Sequence, residues 1–436
     1  MNILLLNTHN PYKASGIVAL DLFNQLKSRG HNVILLVNHF NPDYPEGIVS
    51  METSYAAWSK SLNVKIEWRL NKLKKYLKIK DKKIWDSDYC FFQLKEGKKY
   101  YSAKKLLHAA GIQPDVIFVL YAKKFINLQN IYKLQKKTDA KIFWLMYDMA
   151  PFTGGCHYAW DCVGYQNNCG RCPGLFSTDP YDVTYKNLLY KQKYIQKTNL
   201  HLLAGSEGQF LQAKSSALFA AKPIHKMLIP IDPTVFKPDV KQKIKNKLNI
   251  PRNKKVIFFG AVSLTERRKG MSYLIESLHA LYNKIKSDEP ELEHKVLLLV
   301  AGEAFNGIVQ SLPFEAHYLG FIKNSNDLAS AYQAADIFIC PSIEDSGPMM
   351  INQSIMCGTP VVSFEIGVSL DLVITGTTGY RAKLKDSKDM ANGLFNLLTL
   401  KDSDYLILSE NCRDLALRLF SPEVRLDLLE DLMKNS

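Results

Sequence analysis

The chain has 436 residues, 47% of them hydrophobic, and a formal net charge of +14. That length exceeds one ordinary domain and the apolar share supports real cores, so two or three domains are expected. No apolar run reaches the roughly 18 residues of a membrane-spanning helix, so none is expected. The positive charge has two readings, a Lys-, Asn- and Ile-rich composition bias or attraction to anionic lipid and acidic ligands. Met1–Thr8 is apolar from the start, with no basic leader region or small-residue cleavage site, and reads as a first core strand rather than a signal peptide. With no export signal, the eight cysteines point to a reducing compartment.

Asn2–Asn7 is a continuous apolar run, followed by a turn over His9–Gly16 with Pro11 and Ser15-Gly16. Ile17–Arg29 has amphipathic helical spacing closed by Gly30, and Val33–Val37 is a second buried strand. This βαβ opening lacks G-x-G-x-x-G, which argues against a nicotinamide cofactor. Within Val64–Ile84, Ile66, Leu70, Leu73 and Leu77 share one helical face, while Lys65, Arg69, Lys72, Lys75 and Lys78 fall largely elsewhere around it. Such a helix either lies on an anionic membrane or packs by its apolar stripe as an ordinary surface helix. No nucleic-acid motif accompanies the charge, so nucleic acid is not an expected partner.

Asp115–Tyr121 and Lys141–Tyr147 read as further parallel strands. Beyond them, Cys156, Cys162, Cys169 and Cys172 form C-x5-C-x6-C-x2-C. Three states stay open for these: a tetrahedral structural zinc, with His157 as a fifth candidate ligand, reduced thiols, or two disulfides. In each case the stretch is a structural loop. Cys90, Cys340, Cys357 and Cys412 are scattered and read mostly as core residues. Leu200–Ala204 is a short strand, a helix runs to about Ala220, and Lys226–Ile231 is the expected last strand of the first half.

The βα pattern then restarts with a strand over Lys255–Gly260 and a helix over Gly270–Ile285. Between them, Arg267, Arg268 and Lys269 lie at a strand end facing a helix N-terminus. A cation pair there suits a diphosphate, since arginine can donate two hydrogen bonds and lysine adds a point charge. Alone, the same run also reads as a solvated basic loop. Lys295–Val300 ends in Ala301-Gly302-Glu303, His317–Ile322 is another strand and Ala329–Ala335 a helix. Asp336–Cys340 is a buried strand, Gly347-Pro348 opens a helix with proline in its first turn, Gly358 ends it, and Thr359-Pro360 starts the next strand. Ser342–Gly347 therefore joins a strand C-terminus to a helix N-terminus, where open α/β sheets bind ligands and free N–H groups favour an anion. Glu344 and Asn352 flank this turn. A carboxylate beside an anion site suits a ligand that also carries hydroxyl groups, and a sugar nucleotide has both.

The Glu344 to Asn352 spacing, with PSIEDSGP around it and CGTPVV behind, resembles the E-x7-E signature of family-four retaining glycosyltransferases. The stretch YDMAPFTGGCHYAWDCVGYQNNCGRCPGL resembles a subgroup, often acting in surface polysaccharide assembly, that carries HDxxxFTGGCHY and spaced cysteines. Asp232-Pro233 and Phe236-Lys237-Pro238 resemble the family's interdomain linker, and the resemblance is weakest over 45–110. It implies an α/β chain of the GT-B fold, with two doubly wound Rossmann-like domains facing across a cleft. Residues 1–235 would bind the acceptor and residues 236–436 the nucleotide sugar, with the last helix, about 421–436, crossing back to the first domain. Glu344, Arg268 and Lys269 would be the catalytic group, Glu344 on the donor sugar and the cations on the diphosphate. Gly260, Gly302, Ile322, Ser346, Gly347, Pro348, Met349, Met350 and Asn352 would line the donor, and Gly16, Tyr147 and Asp148 the acceptor side.

Two positions replace residues that active relatives use. Tyr147 replaces a histidine, and a tyrosine is no base near neutral pH without a large shift. Asn352 replaces the second glutamate. The implied activity is retaining, metal-independent transfer of a sugar from a UDP- or GDP-sugar to a hydroxyl of a growing, polyprenyl-linked glycan of capsule, O-antigen or exopolysaccharide. No cofactor is required, and the setting is cytoplasmic, peripheral on the inner face of the cytoplasmic membrane. The two departures leave a rival, a non-catalytic sugar-nucleotide-binding subunit.

Overall fold

The computed structural model describes residues 1–13, 15–56, 59, 68–69, 72, 85–91, 95–97, 101–303 and 311–435. The basic stretch Val64–Ile84 thus lies, but for three residues, outside the described part. The chain divides into two compact units. The first comprises Met1–Ala204, Gln212–His225 and Leu429–Ser436, the second Gly205–Leu211 and Lys226–Leu428. The main change falls at His225/Lys226, against an expected boundary near residue 235.

The first unit carries strands β1 (Asn2–Asn7), β2 (Asn32–Val37), β3 (Ile48–Ser50), β4 (Val116–Tyr121), β5 (Lys141–Leu145), β6 (Leu200–Ala204) and all but the last residue of β7 (Ile224–Lys226). They form one sheet in the order β3-β2-β1-β4-β5-β6-β7. β1 pairs in parallel with β2 and β4, with Leu4 level with Ile34 and Ile117. The run Ile3–Leu6 has no exposed surface, as expected of a parallel strand covered on both faces. Lys226–Ile231 was expected as a strand, but the ladder stops at Lys226. Pro230 has no N–H to give a ladder, and the Ile231 N–H goes instead to the Phe420 carbonyl at 3.4 Å.

The second unit carries β8 (Lys255–Ser263), β9 (Val296–Glu303), β10 (Glu315–Gly320), β11 (Ile337–Cys340), β12 (Val361–Phe364) and β13 (Gly379–Ala382). All are parallel, in the order β10-β9-β8-β11-β12-β13. Each sheet thus reverses its winding direction once, between β1 and β4 and between β8 and β11. Crevices at the carboxyl ends of such strands are where doubly wound sheets take ligands. Beneath the second crevice the core is aromatic. Tyr332 lies fully buried against Phe258, with centroids 5.1 Å apart, and its hydroxyl donates to Gln353 at 3.0 Å.

Local chemistry sets several element ends. Asn127 and Asn130 form a reciprocal capping box on helix Leu128–Thr138. The expected helix Ala329–Ala335 starts earlier, at Ser325, because the Asn324 side chain accepts from the Asn326 N–H. Pro348 is the N-cap of helix Met349–Met356 rather than part of its first turn. Gly270, at φ +70°, caps helix Met271–Asp288 from outside, and a Cβ there would meet the Pro341 carbonyl oxygen at 1.8 Å. Among the described residues no helix is long and apolar enough to cross a membrane.

Candidate functional site

In the second unit, β8 runs into a single 3-10 turn, Arg267–Lys269, closed by Gly270. The loop after β11 binds this turn directly, through the Ile343 N–H to the Arg268 carbonyl at 2.9 Å. The two segments on either side of the winding reversal are thereby joined, and their side chains meet at Asp345. One Asp345 oxygen accepts from Arg268 Nη1 at 2.8 Å and from Lys269 Nζ at 2.6 Å. The other accepts from the Gly347 N–H at 3.2 Å, just before helix Met349–Met356. Arg268 also pairs with Glu266 at 2.7 Å. Burial alone would raise the Asp345 carboxyl, but Lys269 and Arg268 outweigh it and hold it below the usual carboxylate range.

Next to this cluster Ser346 is 9% exposed. Its carbonyl accepts from the Ser206 hydroxyl at 2.6 Å, while its own hydroxyl oxygen is buried with no hydrogen-bond partner among the described residues. A buried polar atom without a partner costs about 1–3 kcal/mol. The turn thus offers a cation pair, an unanswered hydroxyl and a helix N-terminus in one place.

The other expected donor residues are placed as follows. Gly260 lies under Met350, whose terminal methyl would be 2.6 Å from a Cβ there. Gly302, the penultimate residue of β9, has φ +147° and lies against the Ala261 carbonyl. Ile322 packs on the edge of the aromatic core. Pro348 is buried, Met349 exposed and Glu344 half-buried. Asn352 is only 3% exposed and its amide donates to the Ile229 carbonyl at 3.3 Å. Asp345 is the residue that sequence reasoning missed. Its signal was present as a second acid directly after Glu344, but only the fold says which of two adjacent acids turns inward.

In the first unit, Gly16, in the first turn of helix Ser15–Ser28, lies so close to the Asn10 carbonyl that a Cβ would overlap it. Tyr147 and Asp148 follow β5 and line a pocket with Tyr121, Lys123, Trp144 and His157. The rings of Tyr121 and Tyr147 meet edge to face, centroids 6.1 Å apart. Asp148 accepts from the Ala150 N–H at 2.9 Å and from His157 Nδ1 at 2.5 Å, so it both caps local backbone and holds an imidazole. Burial, then Lys124, lowers Lys123 to about 8. Lys191, 2% exposed, lines the same pocket; it donates to the carbonyls of Ala150 and Thr153 at 2.5 and 2.9 Å and pairs with Glu96 at 3.2 Å. The sequence reading assigned nothing to Lys191, and cast His157 only as a metal ligand.

Cys156, Cys162, Cys169 and Cys172 line one small pocket with Tyr89 and Thr184. Of the three states left open for them, the structural zinc is not supported. Among the described residues no three His, Cys, Asp or Glu side chains are arranged to hold a metal ion. The cysteines are free thiols. Burial pushes Cys169 and Cys172 up to about 11, and His157 is engaged by Asp148. Side-chain hydrogen bonds fasten the segment. Asp182 accepts from the N–H groups of Cys172, Thr184 and Tyr185 while capping helix Val183–Ile195, and Asn187 on that helix donates to the Gly154 carbonyl.

Residues 253–400 match the family model of the glycosyl transferases group 1. The match takes in β8 to β13 and the Arg268, Lys269 and Asp345 cluster. Among curated proteins, the chain is 32% identical over 200 residues to a D-inositol 3-phosphate glycosyltransferase of Corynebacterium kroppenstedtii, covering 43% of each chain. It is 27% identical over 195 residues to the enzyme of that name from Stackebrandtia nassauensis, covering 42% of this chain and 43% of that one. The likeness thus spans less than half the length of these relatives. Among solved structures, a sucrose-phosphate synthase from Thermosynechococcus elongatus aligns over the whole of both chains, with a TM-score of 0.64 at 17% identity. Anabaena HepE, solved with UDP and glucose, aligns over 100% of this chain and 99% of its own, with a TM-score of 0.60 at 14% identity. At these identities the likeness concerns the fold, two parallel-sheet Rossmann-like domains of the GT-B class.

Proposed function

We propose that the chain transfers a sugar, with retention, from a nucleotide diphosphate donor to a hydroxyl of a growing, lipid-linked surface glycan. The second unit takes the donor and the first the acceptor. The observation that carries this reading is the cluster at the β8/β11 reversal, where Lys269 and Arg268 stand beside the unanswered Ser346 hydroxyl at a helix mouth. Breaking a glycosidic bond to a diphosphate builds negative charge on the departing group, and preorganised cations and N–H groups stabilise that charge without a metal. Glu344 is assigned to the sugar hydroxyls, and Tyr147 with the Asp148–His157 pair to the acceptor hydroxyl. A UDP- or GDP-sugar is the donor class, and HepE, a fold neighbour, was solved with UDP. The attachment to the inner face of the cytoplasmic membrane belongs to the same proposal.

The test is release of free nucleotide from candidate UDP- and GDP-sugars, with and without a polyprenyl-linked saccharide. Lys269→Ala should lower kcat by roughly 100-fold and weaken donor binding less, as expected for losing one preorganised charge-stabilising group. A Lys269→Ala protein with normal turnover would return the Arg-Arg-Lys run to a surface loop. Binding of donor without any transfer would favour the non-catalytic subunit.

A further inference from the structure

Asp345 collects, on one carboxylate, the donors that the proposed function assigns to a diphosphate: the Lys269 ammonium, the Arg268 guanidinium and the Gly347 N–H. Two roles fit an internal anion at such a place. As a gate it would leave when the diphosphate arrives. As a pillar it would stay and hold the cations for the incoming anion.

Three observations favour the pillar. Asp345 is 9% exposed, and parting a buried carboxylate from two cations is strongly destabilising. Its segment is fastened on both sides, by Ile343 N–H to the Arg268 carbonyl and by the Ser206 hydroxyl to the Ser346 carbonyl. Among the described residues the Lys269 ammonium also has capacity left. It carries three N–H donors, and the ion pair with Asp345 occupies one direction. Arg268, by contrast, divides its two terminal nitrogens between Asp345 and Glu266.

We infer that Asp345 is a positioning residue: it pins the Lys269 ammonium at the mouth of helix Met349–Met356, with Arg268 as the second strut, so that Lys269 meets the donor diphosphate in a fixed place. This rests on the proposed sugar-nucleotide function. It also sets a direction for the effect on binding. Two acids, Asp345 and Glu266, neutralise the two cations, so the site attracts an anion only modestly. Removing the Asp345 charge leaves more net positive charge for a bound diphosphate while releasing the ammonium from its position.

Asp345→Asn should therefore bind UDP as tightly as the wild type or more so, while kcat with the donor found by nucleotide release falls by roughly 100-fold, the scale of a small misplacement at the reacting centre. Asp345→Glu, which keeps the charge, should recover part of that loss. A merely structural residue would lose binding, turnover and folding together. Folding is checked first by circular dichroism and melting. A crystal structure of the wild type with UDP decides without any variant, and there the Asp345 to Lys269 contact persists. Normal kcat in a folded Asp345→Asn protein, or an Asp345 swung away from Lys269 in the UDP complex, overturns the inference. A wild type that binds neither UDP nor GDP and releases nucleotide from no donor overturns the proposed function and this role with it. Wild-type transfer with an unaffected Asp345→Asn overturns this role alone.

Discussion

A carboxamide and a carboxylate are close in shape, yet at position 352 they are not exchangeable. The resemblance puts a glutamate there, reaching the ribose of the nucleotide. In this chain Asn352 is buried, and its amide satisfies the Ile229 carbonyl. A glutamate has no hydrogen to give that carbonyl, and its charge would lie beside a carbonyl dipole of like sign. Asn352→Glu should therefore destabilise the protein by about 1–3 kcal/mol, the cost of an unsatisfied buried group, rather than improve donor binding. Denaturant unfolding with and without UDP measures both quantities. A variant as stable as the wild type that binds UDP more tightly would show that position 352 reaches the nucleotide as it does in relatives.

At the scale of elements, the stretch from Tyr147 to Cys172 reads from its sequence as a structural loop, with zinc, reduced thiols and disulfides left open for its cysteines. Its fastening comes from helix Val183–Ile195, through contacts that the cysteine spacing does not reveal. Lys191 reaches up from that helix into the carbonyls of Ala150 and Thr153, and Glu96 balances its charge. Lys191→Met keeps the length but removes the donors and leaves Glu96 without this partner. The expected cost is about 3–5 kcal/mol, that of breaking a buried ion pair from one side. Melting temperature reports the loss, and limited proteolysis should cut within residues 147–157 before the rest of the first unit. Resistance to cleavage there would mean that the loop holds without Lys191.

The same contrast runs through the whole reading. Strands buried on both faces, such as Asn2–Asn7 and Leu200–Ala204, were legible to the residue, because unbroken apolar runs in a βα alternation have few other uses. Glycine marked the turn at Gly270 and the helix end at Gly358. Legibility ended where a polar side chain chooses its partner across the fold. Asp345 to Lys269 spans 76 positions and Lys191 to Ala150 spans 41, and nothing local to either residue names the other.

For the molecule as a whole, the response to acid separates into two windows. His201 on β6 and His225 on β7 stack with rings 5.3 Å apart, and Nδ1 of one meets Nε2 of the other at 3.1 Å. Burial, then the neighbouring His225, Lys141 and Lys222, lowers His201 to about 4, and burial also lowers His225. An unfolded histidine titrates near 6.5. Between about pH 6.5 and 4 the unfolded chain therefore binds protons at His201 that the folded chain refuses, and stability falls as pH falls through that interval. Below about pH 4 His201 contributes no further loss. There a second process takes over, because Asp336, held down by Lys241 and Lys245 against its burial, and Asp345, held down by Lys269 and Arg268 against its own, begin to lose their charge. Those two acids lie in the second unit and the histidine pair in the first, while Asp182, held down against its burial by hydrogen bonds from Thr184 and Cys172, gives the first unit a share of the lower window too. Two units need not unfold in one step, so calorimetric traces across pH 4–7 should be resolved into separate transitions before comparison. The wild type should lose melting temperature in one transition between pH 6.5 and 4. His201→Phe, which keeps an aromatic ring against Phe143, should lose much less in that transition and keep the steep loss below pH 4 in the other. If the variant follows the wild type across the upper window, His201 takes up its proton in the folded chain as readily as in the unfolded one, and the histidine pair is no barrier to acid.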